Sequence, residues 1–475
     1  MKKGQIYEGV VEELKFPNKG IVVSKGEKVM VKNCIPGQKI SFRLTRKRRG
    51  KLEGRLIEIL ELSPAETRDK ACSIFGDCGG CSYHRIPYED QLKLKESQVL
   101  KLIDQVCEDY EYEGILASPD EWHYRNKMEY SFGDDEKDGP LTLGLHKRAR
   151  FYDIITADDC AIVDNDYNKI LRCVLDYFTE VGVDYYHKMA RKGYLRHLLV
   201  RRSAKTGELL LNVITTSQEE ELLKKLISDE DSIGDINDRE KAQKIIYDPL
   251  IKRLLNLELT GSIGGILHTY NDSLADVIQN DDMYLLHGQD NIYEEVLGLV
   301  FKISVFSFFQ TNTFGAEVLY RKVREYVGET KDKTIFDLYC GTGTIAQLLA
   351  PVAKKVVGVE IVEEAVEAAR ENAFLNNLDN CEFITGDVLK VMDDLKDVPD
   401  IIVLDPPRDG VNPKALRKIV DCGVDKIVYV SCKPTSLARD LVILQEAGYK
   451  VEKVSCVDMF PQTVHVETVA LMSRK

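Results

Sequence analysis

At 475 residues, with 44 % hydrophobic and 30 % charged residues, the chain has room for about three domains of roughly 150 residues each and the composition of a soluble globular protein. No apolar run approaches the roughly 20 residues of a membrane-spanning helix, and Met1-Lys2-Lys3-Gly4 leads into no signal-peptide core, so a cytoplasmic protein without a membrane partner is expected. A net charge of −13 argues against a general nucleic-acid binder, yet basic residues cluster in Arg43 to Arg55 and in Lys188 to Lys205, which keeps local phosphate contacts open.

From Gly4 to about Leu60, short alternating segments are separated by Gly and Pro: Ile6 to Val10, Ile21 to Val23, Lys28 to Val31 and Lys39 to Leu44. They predict a small OB-like β-barrel, with Arg46 to Lys51 at the tip of a hairpin. Barrels of this size grip single-stranded nucleic acid with basic loops and aromatic side chains. Cys72, Cys78 and Cys81 follow, with Gly79 and Gly80 between them to let the backbone wrap closely. Twelve Cys in a chain without a secretion signal point to metal or catalytic use rather than disulfides. Cys160, after Ala157-Asp158-Asp159, is the best fourth ligand, and four thiolates suit zinc or an iron–sulfur cluster.

Apolar residues at helical spacing (Leu92, Leu94, Val99, Leu100, Leu102, Ile103, Val106) predict an amphipathic helix over Tyr88 to Glu108, with Cys107 as packing. Trp122 to Tyr130 opens a β-rich region with strands near Leu141 to Leu145, Arg196 to Arg202 and Leu209 to Val213. Its aromatics, interleaved with Arg and Lys, suit either base stacking or a solvated sheet face. The charged stretch Glu219 to Arg253 reads as helices and a surface connection.

From Lys331 onward strand alternates with helix, the pattern of a doubly wound sheet. The first strand, ending near Leu338, runs into Tyr339-Cys340-Gly341-Thr342-Gly343-Thr344. The second ends at Glu360, an acid suited to ribose hydroxyls, and the third at Asp387. A nicotinamide enzyme competes, although Ala346 stands where its third glycine is usual. Ile401 to Leu404 and Lys426 to Val430 read as two buried parallel strands, stopped by Asp405-Pro406-Pro407-Arg408 and by Ser431-Cys432-Lys433-Pro434. Ligands bind beyond the carboxyl ends of such strands, so Asp405 and Cys432 share one rim. Lys433 is a candidate for favouring the thiolate. Near the end, strand period puts His465, Glu467 and Val469 on one face; Glu467 is the better base and His465 the runner-up.

These residues resemble the RNA uracil-5 methyltransferases, and more closely their ribosomal-RNA branch with an N-terminal TRAM barrel, over nearly the whole chain. The resemblance is carried by the spaced Cys72, Cys78, Cys81 and Cys160, by Phe309-Gln310-Thr311-Asn312, by Asp337 to Gly343, Asp405 to Arg408, Ser431 to Pro434, and Val466-Glu467-Thr468. It implies methylation of carbon 5 of a uridine in structured RNA from S-adenosylmethionine, with 23S rRNA first. Transfer RNA, or a non-catalytic iron–sulfur RNA-binding protein, are the alternatives. By resemblance Gln310, Tyr339, Glu360, Asp405 and Asp387 meet the cofactor, Cys432 is the nucleophile and Glu467 the base. The four Cys would hold a 4Fe–4S cluster, zinc being the second choice.

Arg408 stands where methyltransferases of exocyclic amines carry a base-stacking aromatic, which fits a different target atom. The chain departs from the family at Lys433, where Asn is usual, and at Tyr339, where Phe is frequent. The expected architecture is a multidomain α/β protein, with a monomer favoured: a TRAM-like barrel over 1–60, a central mixed α+β domain with the four Cys over 61–285, and a Rossmann-like methyltransferase domain over 286–475. The resemblance further implies that the helix near Tyr88 to Glu108 packs on the last of these.

Overall fold

The computed structural model describes residues 1–150, 152–227, 239–274, 282–393 and 397–474, which divide into two compact units. The first comprises Met1–Lys70, Cys81–Glu121 and Phe314–Lys475; the second comprises Ala71–Gly80 and Trp122–Thr313. None of the described helices is long and apolar enough to cross a membrane.

In the first unit, β1 (Ile6–Lys15), β2 (Lys19–Ser24), β3 (Glu27–Lys32), β4 (Lys39–Arg48) and β5 (Lys51–Glu61) close into a barrel in the order β1-β2-β3-β5-β4. Alternation along the strands turns Val22, Val29, Val31, Ile40, Phe42 and Leu44 inward as its core. Arg48 pairs with Lys51 across a turn in which Arg49 and Gly50 both have positive φ, the geometry of a primed two-residue hairpin. The basic hairpin tip expected from the sequence is therefore present, and Arg46, Lys47, Arg48 and Arg49 are exposed on it. α1 (Tyr88–Ile103) starts after Pro87, carries Glu89 and Asp90 in its first turn and Lys101 in its last, as the helix dipole favours. Its Val99 and Ile103 are buried in the core of the large sheet described below, as the resemblance implied.

The second unit is built on a seven-stranded sheet. Its elements are β7 (Lys127–Asp134), β8 (Leu141–His146), β9 (Ile154–Thr156), α2 (Asn165–Val181), β10 (Leu195–Arg202), β11 (Glu208–Thr215), α3 (Glu220–Leu226), α4 (Arg239–Leu255), β12 (Ser262–Tyr270) and β13 (Asp282–Gly288). β6 (Glu111–Leu116), which precedes them in the chain, belongs to the first unit. The strand order is β13-β12-β11-β10-β7-β8-β9, and a separate hairpin joins β14 (Asn291–Val296) to β15 (Leu299–Ser304). α2 is capped by Asp164, which accepts from the Asp166 N–H at 2.9 Å, and ends at Gly182 with φ 71°. Of the charged stretch Glu219 to Arg253, positions 228–238 lie outside the described residues.

The rest of the first unit is α5 (Thr313–Val327), β16 (Thr330–Leu338), α6 (Thr344–Leu349), β17 (Ala353–Glu360), α7 (Glu363–Leu375), β18 (Cys381–Thr385), α8 (Val388–Val391), β19 (Ile401–Leu404), α9 (Pro413–Asp421), β20 (Lys426–Ser431), α10 (Pro434–Glu446), β21 (Tyr449–Val457) and β22 (Glu467–Arg474). The sheet order is β18-β17-β16-β19-β20-β22-β21-β6, with β18 through β20 parallel and β22 antiparallel to both neighbours. β6 adds an eighth, edge strand from far upstream, parallel to β21. Nothing in its sequence, Glu-Tyr-Glu-Gly-Ile-Leu, marks it as part of this sheet.

Candidate active site

β19 and β20 run side by side, with Leu404 opposite Tyr429, and stop at the same edge of the sheet. All four residues of β19 are buried, and Pro406 and Pro407 end it because proline offers no N–H to the ladder. β20 ends at Ser431, after which Cys432 and Lys433 lead into α10, with Pro434 in its first turn. Thr468 of β22 pairs with Ser431, so one further step of the antiparallel register sets Glu467 opposite Cys432. Residues opposed in this way have Cβ atoms about 4.5–5.5 Å apart. On the other flank, Leu338 pairs with both Leu404 and Val359, which brings Tyr339, Asp405 and Glu360 to one rim. The strand order reverses between β16 and β19, and open α/β sheets bind ligands at such a point.

The turn after β16 is shaped for close approach. Tyr339 and Gly343 have φ of 68° and 71°, and a Cβ at Gly343 would stand 2.5 Å from the Phe383 ring. The Tyr339 and Cys340 N–H groups donate to the Val359 carbonyl at 2.9 and 3.1 Å. Glu360 accepts from Ile361 and Val362 N–H through Oε1, at 2.8 and 3.0 Å, and from Gly341 N–H through Oε2 at 3.1 Å. Its Oε2 keeps capacity for one more donor. Asp387 accepts from Leu389 N–H at 3.0 Å and so caps α8.

The rim concentrates acids with little to offset them. Burial lifts the Asp405 carboxyl to about 7. Burial, with Asp405 adding and Arg408 opposing, pushes Glu467, itself 5 % exposed, up to about 8. The half-buried Cys432 thiol is pushed up to about 11 by burial, then by Glu467 and Asp405, again against Arg408. Asp337 is driven well above the usual carboxylate range by burial and by Asp405, and its Oδ1 is buried without a hydrogen-bond partner among the described residues. Two expectations are corrected here. Lys433 does not serve the thiol: its Nζ stands 3.8 Å from Asp409 Oδ1, and Arg408 is the cation that favours the charged forms. His465 is not on the strand face with Glu467, since β22 begins at Glu467 and the imidazole lies edge-on to Phe460 at 6.1 Å.

A buried network that the sequence did not suggest fixes the turn carrying Arg408. Asp440, on α10, accepts from Tyr429 Oη at 2.7 Å, from Val411 N–H at 2.8 Å and from Arg439 Nε at 2.8 Å. Ser436 Oγ donates to the Arg408 carbonyl at 2.8 Å, and Arg439 Nη2 to the Asp409 carbonyl at 2.7 Å. The first two turns of α10 thus hold the 408–411 turn beside the residue that precedes the helix, Cys432. The one available signal was an acid amid the apolar run of α10.

Residues 289–475 match the family described as tRNA (uracil-5-)-methyltransferase. An uncharacterized RNA methyltransferase of Clostridium tetani is 49 % identical over 100 % of this chain and 99 % of its own length. One from Caldanaerobacter subterraneus is 45 % identical, with 100 % of both chains covered. The chain belongs to the RNA uracil-5 methyltransferase family. The crystal structure of Pyrococcus abyssi tRNA (uracil-54, C5)-methyltransferase in complex with S-adenosyl-L-homocysteine superposes with a TM-score of 0.72, at 25 % identity, covering 98 % of this chain and 100 % of that one.

S-adenosylmethionine is the methyl donor this methyltransferase family implies, and the rim has the chemistry to receive it. A cationic sulfonium suits a rim of acids, and Glu360 Oε2 and the orphaned Asp337 Oδ1 are acceptors in want of donors. Gln310 belongs to the second unit. Its carbonyl accepts from Asn126 Nδ2 at 3.2 Å, and the same amide donates to Thr313 Oγ1 at 2.8 Å. Thr313 donates in turn to the buried Glu294, which also accepts from Ala204 N–H at 2.7 Å. Asn126 and Glu294 are therefore the anchors of the Gln310 segment, and neither stood out in the sequence.

Of the four thiols read as metal ligands, Cys72 interacts electrostatically with both Cys78 and Cys160. Cys72, Cys78 and Cys160 belong to the second unit and Cys81 to the first. Burial pushes the Cys72 thiol up to about 12, with Cys160, Asp159 and Cys78 adding, and the Cys160 thiol to about 11. Gly80 N–H donates to Cys78 Sγ at 3.3 Å. Among the described residues no three His, Cys, Asp or Glu side chains stand where they would hold one metal ion.

Proposed function

We propose that this enzyme methylates carbon 5 of a uridine in structured RNA through a covalent bond between Cys432 Sγ and carbon 6 of the base. The observation that carries this reading is the register that sets Glu467 opposite Cys432 at the rim of the sheet. Carbon 5 of uracil is a weak nucleophile. Addition of the Cys432 thiolate at carbon 6 shifts the carbon 5–carbon 6 π pair toward carbon 4 as an enolate, and carbon 5 then has an electron pair to give. S-adenosylmethionine, when bound, supplies an electrophilic methyl group on a sulfonium. Glu467, as carboxylate, then takes the carbon-5 proton; the C–H pair restores the double bond and Cys432 leaves as thiolate. Arg408 favours the charged forms of both groups. Tyr339, Glu360, Asp387 and Asp405 are the residues we assign to the cofactor.

The base must leave its stack to reach a thiol at the end of a strand. The exposed basic hairpin at Arg46 to Arg49 is a place for phosphate contacts on the same RNA. We put 23S rRNA first, on the resemblance to the barrel-bearing branch. Transfer RNA is the second reading, favoured by the Pyrococcus abyssi protein, whose likeness spans nearly the whole chain.

RNA carrying 5-fluorouridine tests the chemistry, because fluorine cannot leave as a proton does. Wild type should trap a protein–RNA adduct that survives denaturation, and Cys432→Ala should form none and lose methyl transfer by at least roughly a thousandfold. An undiminished adduct in Cys432→Ala removes Cys432 from the nucleophile role. Mapping 5-methyluridine in ribosomal and transfer RNA from cells with and without the enzyme separates the two substrate readings.

A further inference from the structure

The second unit holds a cavity of about 540 Å³, within the range of roughly 300–1,000 Å³ typical of ligand pockets. Phe132 and Ile154 are buried in its lining, and Tyr152, Tyr185, Tyr186 and His187 supply four rings. The Tyr185 and His187 rings lie 4.1 Å apart at 35°. Tyr186 is backed by the Arg196 guanidinium, 4.9 Å from its centroid. Arg196 is 4 % exposed and is held by the carbonyls of Asn271 and Ser273 at 2.6 and 2.8 Å. The segment carrying these rings is pinned before any ligand arrives: Tyr186 N–H donates to Leu195 O and His187 N–H to Lys192 O, both at 2.8 Å. A preformed aromatic slot avoids the cost of ordering on binding.

We propose that this cavity is a second RNA subsite, which takes one unpaired nucleobase against the Tyr185–His187 pair and leaves its phosphates outside near Lys137 and Lys188. Ring planes in a nucleotide-sized cavity match the way single-stranded RNA is gripped, by stacking rather than by groove readout. The orientation follows from the charges in the lining. Asp134, Asp138 and Asp153 line the cavity and repel a phosphate from it, while Lys188, and Lys137 with its Nζ 3.9 Å from Asp138, line it as the cations that attract one. Lys188 opens the basic run that the acidic net charge of the whole chain would otherwise hide. The inference rests on the RNA-methylating reading only in taking RNA as the ligand.

The probe is a short single-stranded RNA with one 2-aminopurine, titrated into the full chain. Its fluorescence should fall on binding, and Tyr185→Ala and His187→Ala should each weaken binding by roughly fivefold or more and relieve the quenching. Tyr185→Phe keeps the ring and should bind as wild type. The 5-fluorouridine adduct at Cys432 should form in these variants when RNA is saturating, so a failed subsite and a failed catalytic scheme give different results. As a second measurement, 4-thiouridine RNA should photo-crosslink to the 185–189 segment of the wild-type protein. Unchanged affinity and quenching in both folded alanine variants, or crosslinks confined to other segments, would overturn the proposal.

Discussion

Both large sheets bury titratable groups, but they satisfy them differently. In the second unit, His268 sits among neutral partners: Thr215 Oγ1 is 2.8 Å from Nε2 and Gln243 Nε2 is 2.7 Å from Nδ1. Gln243 also donates to Tyr270 Oη at 2.9 Å, and the Tyr194 and Tyr247 hydroxyls meet at 2.7 Å. Burial holds this imidazole neutral, its value lowered to about 3. At the rim of the methyltransferase sheet, burial alone accounts for the shift at Asp405, and the help that reaches Glu467 is the charge of Arg408. A large shift thus marks burial in both places. What separates them is whether the buried group already has its hydrogen bonds, since an acid without donors at the end of a strand is poised to meet a ligand.

The largest effect expected from that difference is at Glu467. Glu467→Gln keeps the shape but cannot take a proton, so turnover should fall by roughly 10²–10⁴-fold. Adduct should build up on natural uridine RNA, visible as a retarded protein band. Rapid release of methylated RNA by this variant would place the base elsewhere. An intermediate effect is expected at Asp440. Asp440→Ala leaves the Tyr429 hydroxyl and the Val411 N–H without their acceptor, at a cost of about 2–4 kcal/mol in denaturant unfolding. Because the same network holds the Arg408 turn, methyl transfer should slow as well. His268→Leu is the matching change in the other sheet: it removes the ring nitrogens that Thr215 and Gln243 meet, leaving them Thr216 O and Tyr270 Oη, and should cost about 1–2 kcal/mol, with methyl transfer on saturating RNA unchanged. A rate loss in His268→Leu as large as that in Asp440→Ala would erase the distinction between the two clusters.

Much of this was legible in the sequence because it is local. The runs Ile401 to Leu404 and Lys426 to Val430 carry burial on both faces in their composition, and proline and the polar turn mark where each ends. The barrel strands and their hairpin tip follow from alternation and a turn that tolerates positive φ. What escaped depends on partners distant in the chain. β6 joins the sheet only through pairing with β21, and Asn126 and Glu294 matter only through what they hold. Arg408 was read for the aromatic it replaces, because a cation's effect on a thiol depends on which turn faces which strand. His465 was misplaced by extending the strand period two residues past where β22 begins.

Taken per pH unit, the smallest expected effect is a difference in slope. Glu467 is protonated in the folded chain up to about 8, whereas its ordinary value is about 4.5. Between those values the folded state holds a proton that the unfolded state has lost, so the first unit loses stability as pH rises through the window. His268 runs the other way: folded it titrates near 3 and unfolded near 6.5, so the unfolded state holds the extra proton and the second unit loses stability as pH falls through that window. Each group contributes at most about 1.4 kcal/mol per pH unit. Melting temperatures measured from pH 4 to about 8 should therefore show Glu467→Gln gaining on wild type toward the alkaline end, and His268→Leu gaining toward the acid end. Parallel curves for Glu467→Gln and wild type would mean that the carboxyl is not held protonated by its surroundings, and the case for a poised, donor-poor rim would fall with it.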